Sequence, residues 1–279
     1  MANYEGDKTR PRAGDGSRIL LMDPPPRGTY SATATDTQRF DPQSLIASLE
    51  RRDALSDEER QALRDLPWRL KRYGDGEEIV AEASRPTDSC LLVDGLAARS
   101  RQLANGNRQL TALHVPGDFV DLHGFFLKIM DHAVIALMPV TVAMVPHRDV
   151  QRLATQMPHL GRMLFMMVAI DAAIQRNWIA CMGRMEPIRH LAYLVCEVYK
   201  RLEVVGRVEN GSFEFPLTQA EIADLVGLSI VHTNRTLQEL RATGLVTWKG
   251  NRIVICDWDG LARLADFDPT YLNLFHHPR

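Results

Sequence analysis

The stretch LTQAEIADLVGLSIVHTNRTLQELRATGL, at positions 217–245, limits the folds open to this chain more than any other part of the sequence. Thr218 stands three residues before Glu221, and this spacing is that of a capping box at the start of a helix. Gly227 supplies the permissive backbone that ends such a helix. Apolar residues at helical spacing give it one buried face: Ile222, Leu225 and Val226. The pattern predicts a short helix, a tight turn and a second helix.

The second helix is predicted to be capped by Ser229 and to bury Leu237 and Leu240. Its N-terminal and exposed surfaces carry Ile230, Val231, His232, Asn234, Arg235 and Gln238. A helix placed in this way is the one expected to enter the DNA major groove. The alternative is a helix pair without DNA contact, because two short helices joined by a glycine turn occur in many proteins that never bind DNA.

Two predicted strands follow the helix pair. LVTW at 245–248 and RIVI at 252–255 flank the turn Lys249-Gly250-Asn251, and this pattern predicts a hairpin wing. Lys249 and Arg252 at its tip are predicted phosphate ligands, which position a domain on DNA without reading its sequence. The region is therefore predicted to be a winged helix-turn-helix.

The composition is that of a soluble globular protein with room for two modest domains: 279 residues, 45% hydrophobic and 24% charged. A net charge of −2 gives no general signature of polyanion binding, so DNA binding must depend on local cations. The sequence contains no Gly-rich phosphate loop, paired-carboxylate motif or nucleophile elbow, which argues against an enzyme.

The four cysteines, Cys90, Cys181, Cys196 and Cys256, are far apart and form no C-x-x-C pair. We therefore predict no metal site and no iron–sulfur site, and expect buried thiols in a reducing cytoplasm. The N-terminus has no signal-peptide pattern, and no apolar run approaches the ~18 residues of a membrane span. These observations predict a cytoplasmic protein without membrane contact.

The remaining chain divides into three predicted regions before the winged domain, which is assigned to residues 187–279. Residues 1–40 have little apolar periodicity and are predicted to be a disordered arm. Residues 41–157 begin with a helical segment and continue as short strands between turns, which predicts an antiparallel barrel or jelly roll. Its strongest hairpin signal is Asn105-Gly106-Asn107. The predicted strands span residues 78–82, 90–93, 97–103, 109–115 and 140–145.

Residues 158–186 form a predicted long helix. Its apolar side chains fall near a seven-residue repeat: Leu160, Met163, Met167, Ile170, Ile174 and Cys181. A seam this narrow favours a homodimer, and the alternative is a helix packed on its own barrel. Asn177 is expected in or beside the seam, where a polar residue can fix register.

In this order the features resemble the CRP/FNR family of bacterial transcription regulators, over about residues 41–266. The matching segments are YGDGEEI (73–79), LLVDGLA (91–97), VPGDFVDLHGFF (115–126) and the helix-turn-helix stretch. The resemblance implies an α+β chain with an N-terminal β-roll sensory domain of cupin-like or jelly-roll type, a long dimerisation helix and a C-terminal winged helix-turn-helix. It also implies a homodimer on near-palindromic double-stranded DNA, with half-sites about one helical turn apart and RNA polymerase as a candidate partner.

The sequence departs from the cyclic-nucleotide-binding relatives at both ligand anchors. Those relatives hold the ribose with a Gly-Glu pair and the cyclic phosphate with an arginine, and the corresponding positions here are Asp121-Leu122 and His132-Ala133. A leucine cannot accept a hydrogen bond, and a mostly neutral imidazole is a poor substitute for a guanidinium. We therefore predict weak or no cyclic AMP binding.

The same resemblance implies candidate effectors other than a cyclic nucleotide. Oxygen-sensing relatives carry a cysteine cluster in the N-terminal arm, and this arm contains none. Haem-sensing relatives use a barrel histidine, for which His114, His123 and His132 are candidates, although a hydrogen-bonded core histidine is the more common case. No cofactor is predicted. An apolar or neutral effector would be lined by Phe119, Leu122, Phe125, Phe126, His132, Ile135 and Leu137, and the alternative for these residues is plain core packing.

The second helix also departs from well-known family members, which carry an acidic and a basic residue one turn apart. Val231 stands at the acidic position and Arg235 at the basic one, so base specificity must differ. Arg235 is predicted to donate to a guanine edge, or alternatively to pair with Glu239 at i+4. His232 and Asn234 are predicted to make further base-edge or phosphate contacts, with a solvent-facing or capping contact as the alternative for Asn234. Val231 or Ile230 is predicted to meet a thymine methyl. The predicted phosphate contacts are Thr218, Ser229 and Lys249.

The competing interpretation is a ligand-sensing module that regulates a partner protein without binding DNA. The near-neutral charge favours it slightly. Lys249 and Arg252 in the predicted wing weigh against it.

Overall fold

The described chain is a sequence of short helices, a β-rich region, a long helix and a mixed C-terminal region. The computed structural model describes residues 40–127 and 129–275, so the predicted arm lies outside the described residues except for Phe40. The elements are α1 (Gln43–Glu50), α2 (Asp57–Arg64), β1 (Arg69–Tyr73), β2 (Glu78–Val80), β3 (Asp88–Asp94), β4 (Ala97–Gln102), β5 (Arg108–His114), a 3₁₀ turn (Leu122–Phe125), β6 (Ala133–Ala136), β7 (Val140–Pro146), α3 (His147–Gln156), α4 (Pro158–Arg184), α5 (Pro187–Val204), β8 (Ser212–Glu214), α6 (Gln219–Val226), α7 (Ile230–Ala242), β9 (Val246–Lys249), β10 (Arg252–Ile255), α8 (Trp258–Ala265) and a second 3₁₀ turn (Pro269–Leu272).

The β-rich region is a roll made of two antiparallel sheets. One sheet has the strand order β1-β7-β3 and the other β2-β6-β4-β5. Leu92 and Val142 from the first sheet share one apolar core with Val134 and Ala136 from the second, so the sheets face each other. The connection at Gly95 needs glycine, because its φ is +87° and an added Cβ would lie 2.8 Å from the carbonyl oxygen of Pro139.

The predicted hairpin at Asn105-Gly106-Asn107 is confirmed. It joins β4 to β5, which pair from Ala97 opposite His114 to Gln102 opposite Arg108. Gly106 has a φ of +85°, and the side chain of Asn105 accepts from the backbone amide of Asn107. The turn thus fixes the register through local chemistry that the sequence already displays.

Three elements of this region have no clear sequence signal. The strand β1 is an edge strand that is exposed at four of its five residues, so it lacks the apolar alternation of a half-buried strand. The strand β6 is buried throughout and is too short to show a period. The helix α3 buries Asp149, Val150 and Leu153 beside the β-roll.

The predicted seam on α4 is covered by the chain itself. Leu160 and Met163 lie in a core with α1, α2, α3 and the three-stranded sheet, and Met167 packs against it. Ile170, Ile174 and Cys181 lie in a second core with the four-stranded sheet and α5. This packing corresponds to the alternative, a helix packed on its own barrel, because an apolar heptad shows that a face is buried but not which chain buries it.

The helix α4 is long and apolar enough to cross a membrane, but helices of soluble proteins can have the same length and composition. The expectation that no segment approaches the length and hydrophobicity of a membrane span was therefore wrong for α4. Asp171 on α4 pairs with Arg99 on β4 at 2.7 Å, and the arginine side chain is 4% exposed. This partly buried ion pair ties the helix to the β-roll.

The C-terminal region forms the predicted winged helix-turn-helix on a scaffold made by α5 and α8. The strands β9 and β10 pair from Arg252 opposite Lys249 to Ile255 opposite Val246, and β8, which the sequence analysis missed, adds a third strand on β10. Leu191, Leu194 and Val198 on α5 are buried against α7 and α8. One continuous core runs from the four-stranded sheet through α4 and α5 into α6 and α7, so the described residues form a single compact unit.

Candidate DNA-binding site and the barrel cavity

The first helix of the predicted pair is capped as its sequence requires. The backbone amide of Glu221 donates to Oγ1 of Thr218 at 3.2 Å, and the backbone amide of Thr218 donates to Oε2 of Glu221 at 2.7 Å. The helix ends at Gly227, whose φ of +69° is left-handed. Both predicted ends of α6 are thus confirmed, and the Thr218–Glu221 hydrogen bonds lie at the protein surface.

The second helix, α7, presents its N-terminal half to solvent. Ser229 caps it by accepting from the backbone amide of His232 at 3.3 Å, as predicted. Thr233, Thr236, Leu237 and Leu240 are buried, and they fix the helix on the domain. Val231 is 81% exposed and Ile230 is 51% exposed, although both are apolar. Exposed aliphatic side chains at the start of a capped helix suit contacts with thymine methyl groups.

Two polar side chains follow on the same helix. Nε of Arg235 donates to Oε1 of Glu239 at 2.9 Å, so the alternative proposed for this arginine is present in the free protein. The Arg235 side chain is nevertheless 79% exposed. Asn234 is half-buried, and its Oδ1 has no hydrogen-bond partner among the described residues. This Oδ1 atom is itself buried, so the exposed guanidinium of Arg235 is the more accessible of the two groups to a base edge.

The wing supplies the predicted cations. Gly250 turns the strand pair with a φ of +53°, and Lys249 is exposed at the tip. Arg252 is also exposed, but its Nε donates to Oγ of Ser212 on β8 at 2.5 Å. Arg252 is therefore partly held by its own sheet, and Lys249 is the freer of the two predicted phosphate ligands.

A small cavity lies between the β-roll, α4, α5 and the C-terminal segment. It has about 60 Å³ of space for the centres of water molecules, which is room for a few waters. Phe119 and Leu122 line it, as predicted. Phe125 and His132 do not: the Phe125 ring packs edge-on against Phe126 and His147, and His132 is held by Asp131 at 2.8 Å.

The lining of the cavity is mixed, because apolar side chains such as Val168, Ile170 and Ile174 share it with polar groups. Ile135 and Leu137 are core residues, and Phe126 is 59% exposed. Charged and imidazole groups also line the cavity: Arg52, Arg99, His114, Asp118, His123, Asp171 and Arg201. Of these, only His114 and His123 were candidates from the sequence, and only the tertiary fold brings Arg52, Asp171 and Arg201 to the same site.

The histidines near the cavity are neutral at physiological pH. Burial, followed by the charges of Arg99 and Arg201, lowers the pKa of His114 well below its usual value. Burial and Arg99 lower the pKa of His123 to about 3, and the same two causes lower the pKa of His132 against the opposing effect of Asp131. Among the described residues, no group of three or more His, Cys, Asp or Glu is placed to hold a metal ion.

Of the four thiols expected to be buried, three are. Cys90, Cys181 and Cys196 are buried, and burial raises the pKa of each, to about 11 for Cys181 and about 12 for Cys196. Cys256, which follows β10, is exposed. The expectation was wrong for this residue, because it lies just past the end of the wing strand rather than inside it.

Opposite its buried side, α4 carries a second apolar face. Phe165 is 64% exposed, Ile179 is 68% exposed and Met182 is 39% exposed. The residues of this face recur at alternating steps of three and four: Phe165, Val168, Ala172, Gln175, Ile179 and Met182. The exposed Phe126 ring lies edge-on to Phe165 at 6.4 Å and extends the apolar surface onto the β-roll.

Comparison with known proteins agrees with this architecture. A model of the cyclic nucleotide-binding domain matches residues 70–157, and a model of the Crp-like helix-turn-helix domain matches residues 189–264. The chain is 25% identical over 215 residues to the transcriptional activator protein FnrL of Cereibacter sphaeroides, covering 76% of this chain and 86% of FnrL.

Solved structures share the fold. FixK2 from Bradyrhizobium japonicum matches with a TM-score of 0.63 and 24% identity, over 71% of this chain and 98% of FixK2. A CRP/FNR-family transcriptional regulator from Thermus thermophilus matches with a TM-score of 0.56 and 18% identity, over 71% of this chain and 99% of the other.

The fold and the exposed capped helix define a DNA-binding protein with a cyclic-nucleotide-binding-like β-roll, a long helix and a winged helix-turn-helix. The two domain models together span more than half of the chain, and they follow the same order along it as the β-roll and the winged helix-turn-helix. The chain belongs to the CRP/FNR family of transcription regulators and is not an enzyme.

Proposed function

We propose that the protein is a homodimeric, sequence-specific regulator that binds near-palindromic double-stranded DNA and does not respond to cyclic AMP. The observation that carries the proposal is the exposed N-terminal half of α7, capped by Ser229 and followed by the wing with Lys249. A helix N-terminus, apolar side chains and a guanidinium on one accessible face are what major-groove reading requires.

Within this surface we assign direct base contacts to Arg235, Asn234 and His232, and thymine-methyl contacts to Val231 and Ile230. Arg235 must exchange its partner Glu239 for a guanine edge. Thr218, Ser229, Lys249 and Arg252 are assigned to phosphates, where they set the position of the domain. Arg252 contributes less than Lys249, because Ser212 already accepts from it.

The proposed dimer forms through the exposed face of α4, not through the buried seam predicted from sequence. Large apolar side chains such as Phe165 and Ile179 are seldom left exposed at this spacing along one helix. Alternating steps of three and four residues suit a two-stranded coiled coil. Such a pairing gives a two-fold axis and so two recognition helices facing successive major grooves.

Independence from cyclic AMP is supported by an ion pair that already engages the arginine of the β-roll. The buried Arg99 already holds a carboxylate, that of Asp171, at 2.7 Å. A cyclic phosphate would have to displace the Asp171 carboxylate from Arg99. The residues at the two anchor positions, His132 and Leu122, offer neither a guanidinium for the phosphate nor an acceptor for the ribose to offset the free energy lost. The cavity beside this pair has room for only a few waters.

The remaining proposals follow from the same fold. We assign residues 41–157 to the β-roll domain, 158–186 to the dimerisation helix and 187–279 to the DNA-binding domain. A cytoplasmic location and contact with RNA polymerase are proposed from the family's role in transcription.

A gel shift of the full-length protein with fragmented genomic DNA, followed by sequencing of the retained pieces, tests the DNA-binding proposal. We expect retention of a small set of fragments that share an inverted repeat. Retention of all fragments alike, or of none at low salt, would contradict sequence-specific binding. The second result would favour the competing interpretation, a module that regulates a partner protein.

A further inference from the structure

A fully buried carboxylate lies where four parts of the chain meet. Glu197 on α5 is 0% exposed. Its Oε2 accepts from Nε1 of Trp178 on α4 at 3.0 Å and from the hydroxyl of Tyr271 in the C-terminal segment at 2.7 Å. Its Oε1 accepts from Nη1 of Arg201 at 3.1 Å. The long helix, the first helix of the DNA-binding domain and the C-terminal segment are thus joined at one group.

The fourth part is the β-roll, which is reached through Arg201. Nη2 of this guanidinium donates to Oδ2 of Asp118 at 2.5 Å, and Asp118 follows shortly after β5, next to the Pro116-Gly117 turn. Burial raises the pKa of Glu197, while Arg201, Tyr271 and Trp178 oppose the shift by donating to its carboxylate. A buried charge network of this kind has one low-energy arrangement, because moving any member leaves a buried charge or donor unpaired.

The C-terminal segment is the component that no domain model includes, since the helix-turn-helix match ends at residue 264. The Tyr271 ring stacks on Tyr193 of α5 with a centroid distance of 6.1 Å, and Phe267 packs edge-on against Tyr193 at 5.1 Å. Leu272 and Leu274 line the cavity beside α4. The segment therefore runs from the end of α8 back across α5 to the long helix.

We propose that Tyr271 is a positioning residue for DNA recognition. By donating to Glu197, the C-terminal segment holds α5 at a fixed angle to α4, and it thereby sets the distance and rotation between the two recognition helices of the dimer. The inference rests on the proposed function. It concerns how the protein measures half-site spacing, not whether it binds DNA.

The test compares operators whose half-site spacing is optimal with operators lengthened or shortened by one base pair. One base pair rotates the half-sites by about 34°, so a rigid dimer discriminates strongly between them. For Tyr271→Phe, which removes only the hydroxyl, the ratio of affinities between optimal and shifted operators is expected to fall by about tenfold, the factor for one hydrogen bond to a charged group. Trp178→Phe removes the donor from α4 and is expected to act in the same direction.

Tyr199→Phe is the matched control. Tyr199 is also on α5 and also in an aromatic cluster, with Phe213 and Trp258, but its hydroxyl faces Glu203 and not Glu197. This variant should keep the wild-type ratio. The ratio does not depend on the folded fraction of a preparation, because inactive protein lowers all three affinities by one factor.

An unchanged ratio in Tyr271→Phe and Trp178→Phe, even with weaker binding to every operator, would overturn the inference and leave a merely structural role for the junction. Failure of the proposed function is a different result, in which the wild-type protein retains no operator in the genomic gel shift. The wild-type measurement therefore separates the two.

Discussion

Nε of Arg235 donates to Oε1 of Glu239 at 2.9 Å, across one turn of the recognition helix, and both side chains face solvent. Exposed ion pairs of this kind contribute about 0–1 kcal/mol. A bidentate contact between arginine and guanine is worth about 1–3 kcal/mol of discrimination. The Arg235 guanidinium is therefore expected to leave Glu239 and bind guanine when DNA is present. In the free protein the ion pair holds the side chain on the exposed face of α7 without preventing this contact.

Arg235→Ala is expected to weaken binding to the specific operator by about 1–3 kcal/mol and to relax the preference at one base pair of each half-site. Fluorescence anisotropy on a series of operators with single base-pair changes measures both effects. Lys249→Ala is the comparison variant. It should weaken specific and random DNA alike and reduce the salt slope of log K by about one unit, because its contact is with a phosphate. Equal losses from both variants on both kinds of DNA would contradict the assignment.

Glu239→Gln should strengthen binding to the operator about two- to fivefold, since it releases Arg235 and removes a negative charge near the DNA backbone. The gain is expected to shrink at high salt, where exposed charges are screened. Titrations at low and high salt check this. Weaker binding by Glu239→Gln would show that Glu239 aligns Arg235 for the base contact.

Replacing Phe165 or Ile179 by Asp should convert the protein from dimer to monomer at micromolar concentration, because each change places a charge in the proposed apolar interface. Analytical ultracentrifugation measures the mass. Leu70→Asp is the matched control, since Leu70 is 52% exposed on the edge strand β1 and not on α4. Dimers that persist in both α4 variants would move the interface elsewhere.

Calorimetric titration with cyclic AMP at physiological salt should give no heat that corresponds to micromolar affinity. The physical reason is that Asp171 already occupies the buried Arg99 and that the cavity admits only a few waters. Operator binding should likewise be the same with and without the nucleotide. A micromolar dissociation constant would show that the β-roll opens and exchanges its internal ion pair.

The free energy of unfolding should depend on pH because of Asp121. Its Oδ1 accepts from the backbone amide of Cys90 at 2.7 Å, its Oδ2 has no partner among the described residues, and burial raises its pKa from 3.8 to about 7. Between these two values the folded protein keeps a proton that the unfolded chain releases, so the free energy of unfolding falls as pH rises toward 7. The fall is at most about 4 kcal/mol.

Asp121→Asn keeps the acceptor and cannot ionise, so this variant should gain stability relative to wild type as the pH is raised from 5 to 8. Urea unfolding at the two pH values measures the difference. The buried histidines have lowered pKa values and lose stability as pH falls, but they are present in both proteins and cancel in the comparison. A difference that does not change with pH would contradict the raised pKa.

The sequence alone determined the features that depend on neighbouring residues. Each of these features depends on residues within a few positions of one another, and each forms as predicted: the capping box of Thr218 and Glu221, the left-handed Gly227, the cap at Ser229 and the hairpin at Gly106. Local hydrogen bonds and backbone conformation need no information from elsewhere in the chain.

Only the tertiary structure decided which surfaces meet. The heptad from Leu160 to Cys181 reads as a dimer seam, yet the β-roll and α5 cover it, and the face with Phe165 and Ile179 stays open. The pairing of Arg99 with Asp171 and the meeting of Tyr271 with Glu197 join residues more than seventy positions apart. Periodicity shows that one face of a helix is apolar, and composition shows how many charged residues the chain has. Burial and charge pairing depend instead on which distant segments the folded chain brings into contact.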